Sequence, residues 1–311
     1  MTLTELRYIV AVARERHFGR AAKACFVSQP TLSVAIKKLE EELGVTLFER
    51  ASNEVTPTAV GAQVVEQAQR VIEQAGAIKE IAKAGKDPLS GPLRIGMIYT
   101  IAPYLLPGVV RLLHKRAPNM ALHLQENYTH RLRELLKQGD IDAAVLALPF
   151  EEAGFAIQTV YDEPFVAAVP RAHEWAGRKS VKSAELKTQS MVLLGAGHCF
   201  RDQVLLASPE LNRFGSNTGM QKTFESSSLE TICQMVASGV GLTVLPSSSV
   251  PQHVSRESLL RFVPFSKPVP DRRVVLVYRK SFPRPAAIEA LRQAILDCPL
   301  HGVTKLAKPV A

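Results

Sequence analysis

Leu3, Leu6, Tyr8, Ile9 and Val12 recur at helical spacing with polar residues between them, which predicts an opening amphipathic helix. A short Ala-rich helix follows over residues 19–24, and Cys25-Phe26-Val27 reads as a tight connection. Ser28 suits the N-cap of the next helix and Pro30 its first turn. Leu32, Ile36, Leu39 and Leu43 form the buried stripe of that helix before Gly44 ends it. The pattern is helix, short turn, helix, and the following GVTLFERASNEVTPT predicts a two-stranded wing. From Thr58 to Lys86, Val60, Val64, Val65, Ala68, Val71, Ile72, Ala75, Ile78 and Ile81 fall three or four apart. That is one helix of roughly 40 Å. Its apolar stripe needs a partner, and a second copy of the same helix would cover it. Asp87-Pro88-Leu89-Ser90-Gly91-Pro92 then breaks the helix and reads as a hinge.

Beyond the hinge the period alternates between strand and helix. LRIGMI predicts a strand, PYLLPGVVRLLHKRAP a helix, MALHLQENY a strand, HRLRELLKQG a helix and IDAAVLAL a strand, together an open parallel βαβαβ sheet. EPFVAAVP, SMVLLG, a helix after Cys199, KTFESS, the helix SLETICQMVASG and the strand GLTVLP make a second set. RRVVLVYRK and a last helix over 285–297 return to the first sheet. The organisation expected is a winged helix-turn-helix over 1–58, a linker helix over 59–86, a hinge over 87–92, a two-lobed α/β regulatory domain over 93–301 and a tail over 302–311. Lobe I takes about 93–162 and 268–301, lobe II about 163–267. Two lobes joined by two crossings enclose a cleft at the C-terminal ends of their strands, where small ligands bind in such sheets.

With 46% hydrophobic and 6% aromatic residues in 311, the chain has the material for more than one globular core. The first twenty residues interrupt their apolar positions with charge, so neither a signal peptide nor a spanning helix fits, and a cytoplasmic protein is expected. The net charge of +9 suggests nucleic acid until it is located. The first 60 residues carry eight Lys or Arg against seven Asp or Glu, so the excess lies elsewhere and only residue placement can argue for DNA. Four cysteines, Cys25, Cys199, Cys233 and Cys298, stand far apart without metal-ligand spacing. No metal, cofactor or disulfide framework is expected, and an isolated cysteine is usually a small buried hydrophobe.

Two groups of residues nevertheless carry chemistry. Ser28, Gln29, Pro30, Thr31, Ser33 and Lys37 would line the N-terminal half of the second helix of the pair, where short polar side chains reach base edges and phosphates, and Arg50 in the wing suits a phosphate or minor-groove contact. The bland alternative is an Ala-rich helix pair that only packs. Farther along, GHCFRDQ sets Cys199 after two glycines and at the start of a helix. Backbone N–H groups of 200–202 would face its sulfur, His198 and Arg201 would supply donors or charge, and Asp202 would hold Arg201.

The string FGRAAKACFVSQPTLSVAIKKLEEELGVTLFER, the long linker helix and the closing SLETICQMVASGVGLTVLP resemble the LysR-type transcriptional regulators over essentially the whole chain. GHCFRDQ, with YTIAPYLLP at 99–107 and QENYTHRLRELL at 125–136, is similar to the peroxide-sensing OxyR subfamily. The resemblance implies a winged helix-turn-helix joined to a periplasmic-binding-protein-like α/β domain. It implies promoter DNA, a second copy of the chain in a homotetramer, RNA polymerase and hydrogen peroxide as partners, and Cys199 as the peroxide-reactive thiol. It also implies Thr100 and Thr129 as peroxide-binding hydroxyls, with Arg272 or Arg273 a further contributor; read without it, both threonines are plain turn caps. Members carry a second cysteine nine residues after the first, which condenses with the sulfenic acid. Here that position is Ser208, which cannot form the bond. Two origins fit Ser208, a natural one-cysteine sensor or an exchange made to block the disulfide.

Other readings compete with this one. The cleft of an ordinary LysR-type regulator would bind a small organic metabolite, with Cys199 only lining it. A thiol peroxidase would need a second thiol for turnover, and a solute-binding protein would need neither the head nor the linker helix. A regulator, not an enzyme, is expected.

Overall fold

The computed structural model describes residues 1–50, 55–84, 87–208, 226, 228–253, 255 and 257–306. The chain divides into two compact units, one built mainly from residues 1–88 and the other mainly from the remainder.

In the first unit, α1 (Leu3–Glu15) opens with a reciprocal cap: the Thr2 hydroxyl accepts the Glu5 N–H, and the Glu5 carboxylate accepts the Thr2 N–H. Helix α2 (Phe18–Ala24) is capped by His17, whose ring nitrogen accepts the Gly19 N–H at 3.0 Å. At α3 (Gln29–Leu43), Ser28 Oγ accepts the Thr31 N–H at 3.3 Å, and Gly44 ends the helix at φ +67°. Ile9, Val12, Ala21, Leu32, Ile36, Leu39 and Leu47 form the core. Leu43 was expected in the buried stripe of α3 but is exposed, because it is the end residue of its helix and projects past the core; Leu3, the first residue of α1, is exposed likewise. Strands β1 (Phe48–Arg50) and β2 (Val55–Pro57) pair antiparallel as the wing. Its tip, 51–54, and the Arg50 side chain lie outside the described residues. Helix α4 (Ala59–Ala84) buries Ala68 and leaves Val60, Val71 and Ile78 exposed on its apolar stripe; the Ile81 side chain and residues 85–86 lie outside the described residues.

The second unit continues with β3 (Leu93–Ile98), α5 (Ala102–Arg116), β4 (Leu122–Asn127), α6 (Thr129–Gln138), β5 (Ala143–Ala147) and β6 (Phe155–Pro170). After a 3-10 turn at Ser183–Thr188 come α7 (Cys199–Ala207), α8 (Leu229–Ala237), β7 (Thr243–Pro246), β8 (Leu260–Pro264), β9 (Asp271–Arg279), α9 (Pro285–Asp297) and β10 (Thr304–Lys305). The βαβαβ start is as predicted, with β3 parallel to both β4 and β5. The sheet is not parallel throughout, however: β9 adds antiparallel to β5, and β6 antiparallel to β9.

Strand β6 is twice the length expected from EPFVAAVP. Its first part pairs with β9 and its last with β7 and β8, so one strand runs through both sheets. SMVLLG is not a strand; Met191 and Leu194 make single bridges, and Met191, Val192 and Leu194 spend their side chains on the core of the second lobe. KTFESS lies outside the described residues apart from Ser226. In the expected tail, Thr304–Lys305 pairs with β6, and 307–311 lie outside the described residues.

One close approach fixes the wing against α4. A Cβ on Gly61 would stand 2.0 Å from the Leu47 carbonyl oxygen, a backbone atom with no room to yield. Gly61→Ala should therefore lower the stability of the N-terminal unit by roughly 1–3 kcal/mol, as overpacking does. Urea denaturation checks this, and an unchanged midpoint would contradict the packing.

Candidate functional site

The register of two parallel strands builds the site. Ile98 on β3 lies beside Asn127 on β4, so the residues leaving the two strand ends, Tyr99-Thr100 and Tyr128-Thr129, emerge side by side. Thr129 opens α6, and Thr100 precedes α5 by two residues. The segment before α7 approaches from the other lobe. Gly197 at φ +91° turns the chain, His198 stands at the N-cap, and Cys199 is the first helical residue. Thr100, Thr129, His198 and Cys199 line one small pocket with Tyr99 and Tyr128, a cavity of about 10 Å³. That is about the space a single water needs.

Polar groups in the pocket are arranged unevenly. The Thr129 hydroxyl and His198 Nε2 are buried and find no partner among the described residues. Such groups cost about 1–3 kcal/mol each unless a bound molecule answers them. The His198 ring lies 4.8 Å from the Tyr128 ring and 5.9 Å from that of Tyr99, centroid to centroid, and so is fixed in place.

Thr100 is held from behind. Arg272 Nη1 donates to Thr100 Oγ1 at 2.7 Å and Nη2 to the Thr100 carbonyl at 3.0 Å, while Nε donates to Glu163 at 2.7 Å. The Arg272 and Glu163 side chains have no exposed surface, and the guanidinium lies 5.1 Å from the Phe200 ring centroid. Of the two arginines anticipated, neither lines the pocket; Arg272 touches it only through Thr100. Arg273 forms a bidentate pair with Asp162.

Helix α7 is tied down by three side chains that donate to carbonyls of three separate segments. Arg201 bonds Leu194 at 2.8 Å, Gln203 bonds Leu148 at 2.8 Å, and Ser208, the C-cap, bonds Ser183 at 3.2 Å. The expected Arg201–Asp202 contact is absent among the described residues: Asp202 faces solvent, and the Leu194 carbonyl takes the guanidinium instead. The Arg201 N–H, expected near the sulfur, bonds the His198 carbonyl.

Burial acts on three of the thiols. It pushes Cys25 up, Cys298 up, and Cys233, beside Glu230, up to about 11. Cys298 is 3% exposed against the Leu105 carbonyl, the packed position expected of an isolated cysteine. In the N-terminal unit Gln29, Pro30, Thr31 and Lys37 are exposed and Ser33 half-buried. Ser28 is spent on its cap, and Lys37 stands 3.8 Å from Glu41.

Sequence reasoning missed Tyr99, Tyr128 and Glu163. The last had a signal: Asp162-Glu163 on β6 stands opposite Arg273-Arg272 on β9 in antiparallel register, acid facing base at both positions.

Burial pushes the His198 imidazole below its ordinary value. Because the folded protein resists this proton more than the unfolded chain does, the stability involved is present above about pH 6.5 and drains away as pH falls through the folded value. Urea denaturation from about pH 7.5 to 5 should show a loss in the native chain that is smaller in His198→Asn. Equal slopes would mean that His198 is not held neutral.

Residues 3–62 match the model for the bacterial regulatory helix-turn-helix protein, lysR family, and residues 86–298 that for the LysR substrate binding domain. The hydrogen peroxide-inducible genes activator of Dickeya chrysanthemi is 41% identical over 297 residues, 96% of this chain and 95% of that protein. The DNA-binding transcriptional dual regulator OxyR of Escherichia coli K12 is 41% identical over 295 residues, 95% of each chain. Full-length OxyR with the C199D substitution from Pseudomonas aeruginosa superposes with a TM-score of 0.80 at 51% identity, covering 99% of both chains. A cysteine variant of Corynebacterium glutamicum OxyR with hydrogen peroxide bound does so with a TM-score of 0.64 at 34% identity, covering 96% of this chain and 92% of that one. With both halves of the chain matched in order and at these identities, the protein belongs to the LysR family of bacterial transcriptional regulators, in its OxyR subfamily.

Proposed function

We propose that the chain is a DNA-binding transcription regulator that senses hydrogen peroxide by oxidation of Cys199 and controls antioxidant genes. One observation carries the reading: Thr129 and His198 line one small pocket with Cys199, and Thr129 Oγ1 and His198 Nε2 are buried without a partner among the described residues. The thiolate sulfur attacks one peroxide oxygen, the O–O bond breaks, sulfur keeps an OH as sulfenic acid, and the departing hydroxide takes a proton to become water. Thr129 and Thr100 hold the peroxide and help protonate the leaving oxygen, and neutral His198 orients it.

The product stops at the sulfenic acid or its mixed disulfide with a small thiol. Ser208 offers no sulfur and lies at the far end of α7, roughly 13 Å along the helix. The other three thiols are pushed up by burial, away from the nucleophilic form. This favours a sensor over a turnover enzyme.

The DNA-binding role falls to the head, residues 1–58, with Gln29, Thr31 and Ser33 at base edges and Lys37 and Arg50 at phosphates. The exposed Val60, Val71 and Ile78 on α4 suit a second copy of the helix, and the working assembly is a homotetramer on promoter DNA that contacts RNA polymerase. Among the described residues no helix is long and apolar enough to cross a membrane.

Peptide mass spectrometry after one equivalent of hydrogen peroxide, with a sulfenic-acid trap present, tests the assignment. Trapping should occur at Cys199 well ahead of Cys25, Cys233 and Cys298. Reaction at Cys199 no faster than at Cys298 would sink the peroxide reading.

A further inference from the structure

We infer that Glu163, which lines no part of the pocket, is a positioning residue for the reaction with peroxide: it sets, through Arg272, the direction in which the Thr100 hydroxyl donates. The inference rests on the peroxide reading of Cys199 above. Arginine has five N–H donors and no acceptor, so in the 2.7 Å contact between Arg272 Nη1 and Thr100 Oγ1 the threonine oxygen must accept. Its own hydrogen finds no acceptor among the described residues, and Thr100 lines the pocket. The hydroxyl therefore points its proton at the ligand, and the cation behind it strengthens that donation. A threonine free to rotate would accept from peroxide as readily as donate to it.

The orientation of Arg272 depends in turn on Glu163. One carboxylate oxygen accepts Arg272 Nε at 2.7 Å and the other accepts the Ser248 N–H at 2.9 Å. Both partners are donors, so only a carboxylate, with an acceptor at each end, satisfies them together. An amide at this position would set its NH2 group against one of the two and loosen the guanidinium. Glu163 also stands on β6 two residues before the stretch that pairs with the second sheet, and Ser248 follows β7 in that sheet. The hydroxyl of Thr100 is thus oriented by a chain of bonds that crosses between the lobes.

Two rate constants measured on the full chain separate this role from a structural one. Alkylation of Cys199 by iodoacetamide needs only the thiolate, whereas reduction of hydrogen peroxide needs the thiolate and a proton donor. The readout is the ratio of the peroxide rate to the alkylation rate. Glu163→Gln should lower it by about tenfold or more, as should Thr100→Val, and the double variant should be no worse than Thr100→Val alone. If Glu163→Gln does not fold, the joint replacement Arg272→Met with Glu163→Leu removes both buried charges together and should lower the same ratio. An unchanged ratio in the Glu163 variants, or multiplicative losses in the double, would overturn the inference. A native chain in which peroxide oxidises Cys199 no faster than Cys298 would instead remove the peroxide reading beneath it.

Discussion

A guanidinium with no exposed surface has to be answered on every side, and the regulatory half of the chain is arranged around that requirement at Arg272. The Glu163 carboxylate on β6 takes Nε, the Thr100 hydroxyl and carbonyl take the two outer nitrogens, and the Phe200 ring of α7 lies alongside. Removing one partner of such a pair costs about 3–5 kcal/mol, because the other charge is left buried. The same contacts decide which strand ends meet. Arg272 ties the turn after β3 to the strand that runs through both sheets, and Phe200 brings the residue after Cys199 to the same point. Structure and chemistry therefore share one constraint: what neutralises the buried arginine also fixes the hydroxyl beside the thiol.

Cys199 differs from the other cysteines by position rather than by residue type. The other three are small apolar groups whose burial pushes their thiols up. Cys199, half-buried like Cys25 and Cys233, stands at the first position of a nine-residue helix, next to two polar groups without partners among the described residues. Three bonds to three separate carbonyls hold that helix, and Ser208 supplies the last. With a hydroxyl in place there, oxidation at residue 199 adds an oxygen but closes no bond across the helix, so the helix keeps its tethers.

The N-terminal unit was legible because its signals are local. Ser28, Gly44 and the spacing of Leu32, Ile36 and Leu39 state where α3 starts, stops and faces, and the structure agrees with each. What was not legible depends on partners far away in sequence. The sequence marks a strand only from Glu163, yet β6 begins at Phe155 and runs on through Asp162 and Glu163 because Arg273 and Arg272, more than a hundred residues later, stand opposite. SMVLLG looks like a strand because apolar runs serve strands and buried loops alike, and here core packing took the residues. At the site, Cys199, Thr100 and Thr129 were named from a resemblance and do line one pocket, whereas the pairing of Arg201 with Asp202 assumed that neighbours in sequence hold each other. The Leu194 carbonyl, seven residues back, had the better geometry.

The central claim is that the hydroxyl of Thr129 and Nε2 of His198, without partners among the described residues, wait for hydrogen peroxide. The most direct measurement is a crystal structure of the Cys199→Ser chain exposed to peroxide, which retains the pocket but cannot react through sulfur. The account predicts a two-oxygen molecule hydrogen-bonded to Thr100, Thr129 and His198 with one oxygen facing residue 199. Peroxide bound elsewhere, or a single-atom solvent peak in the pocket that peroxide does not displace, would contradict it.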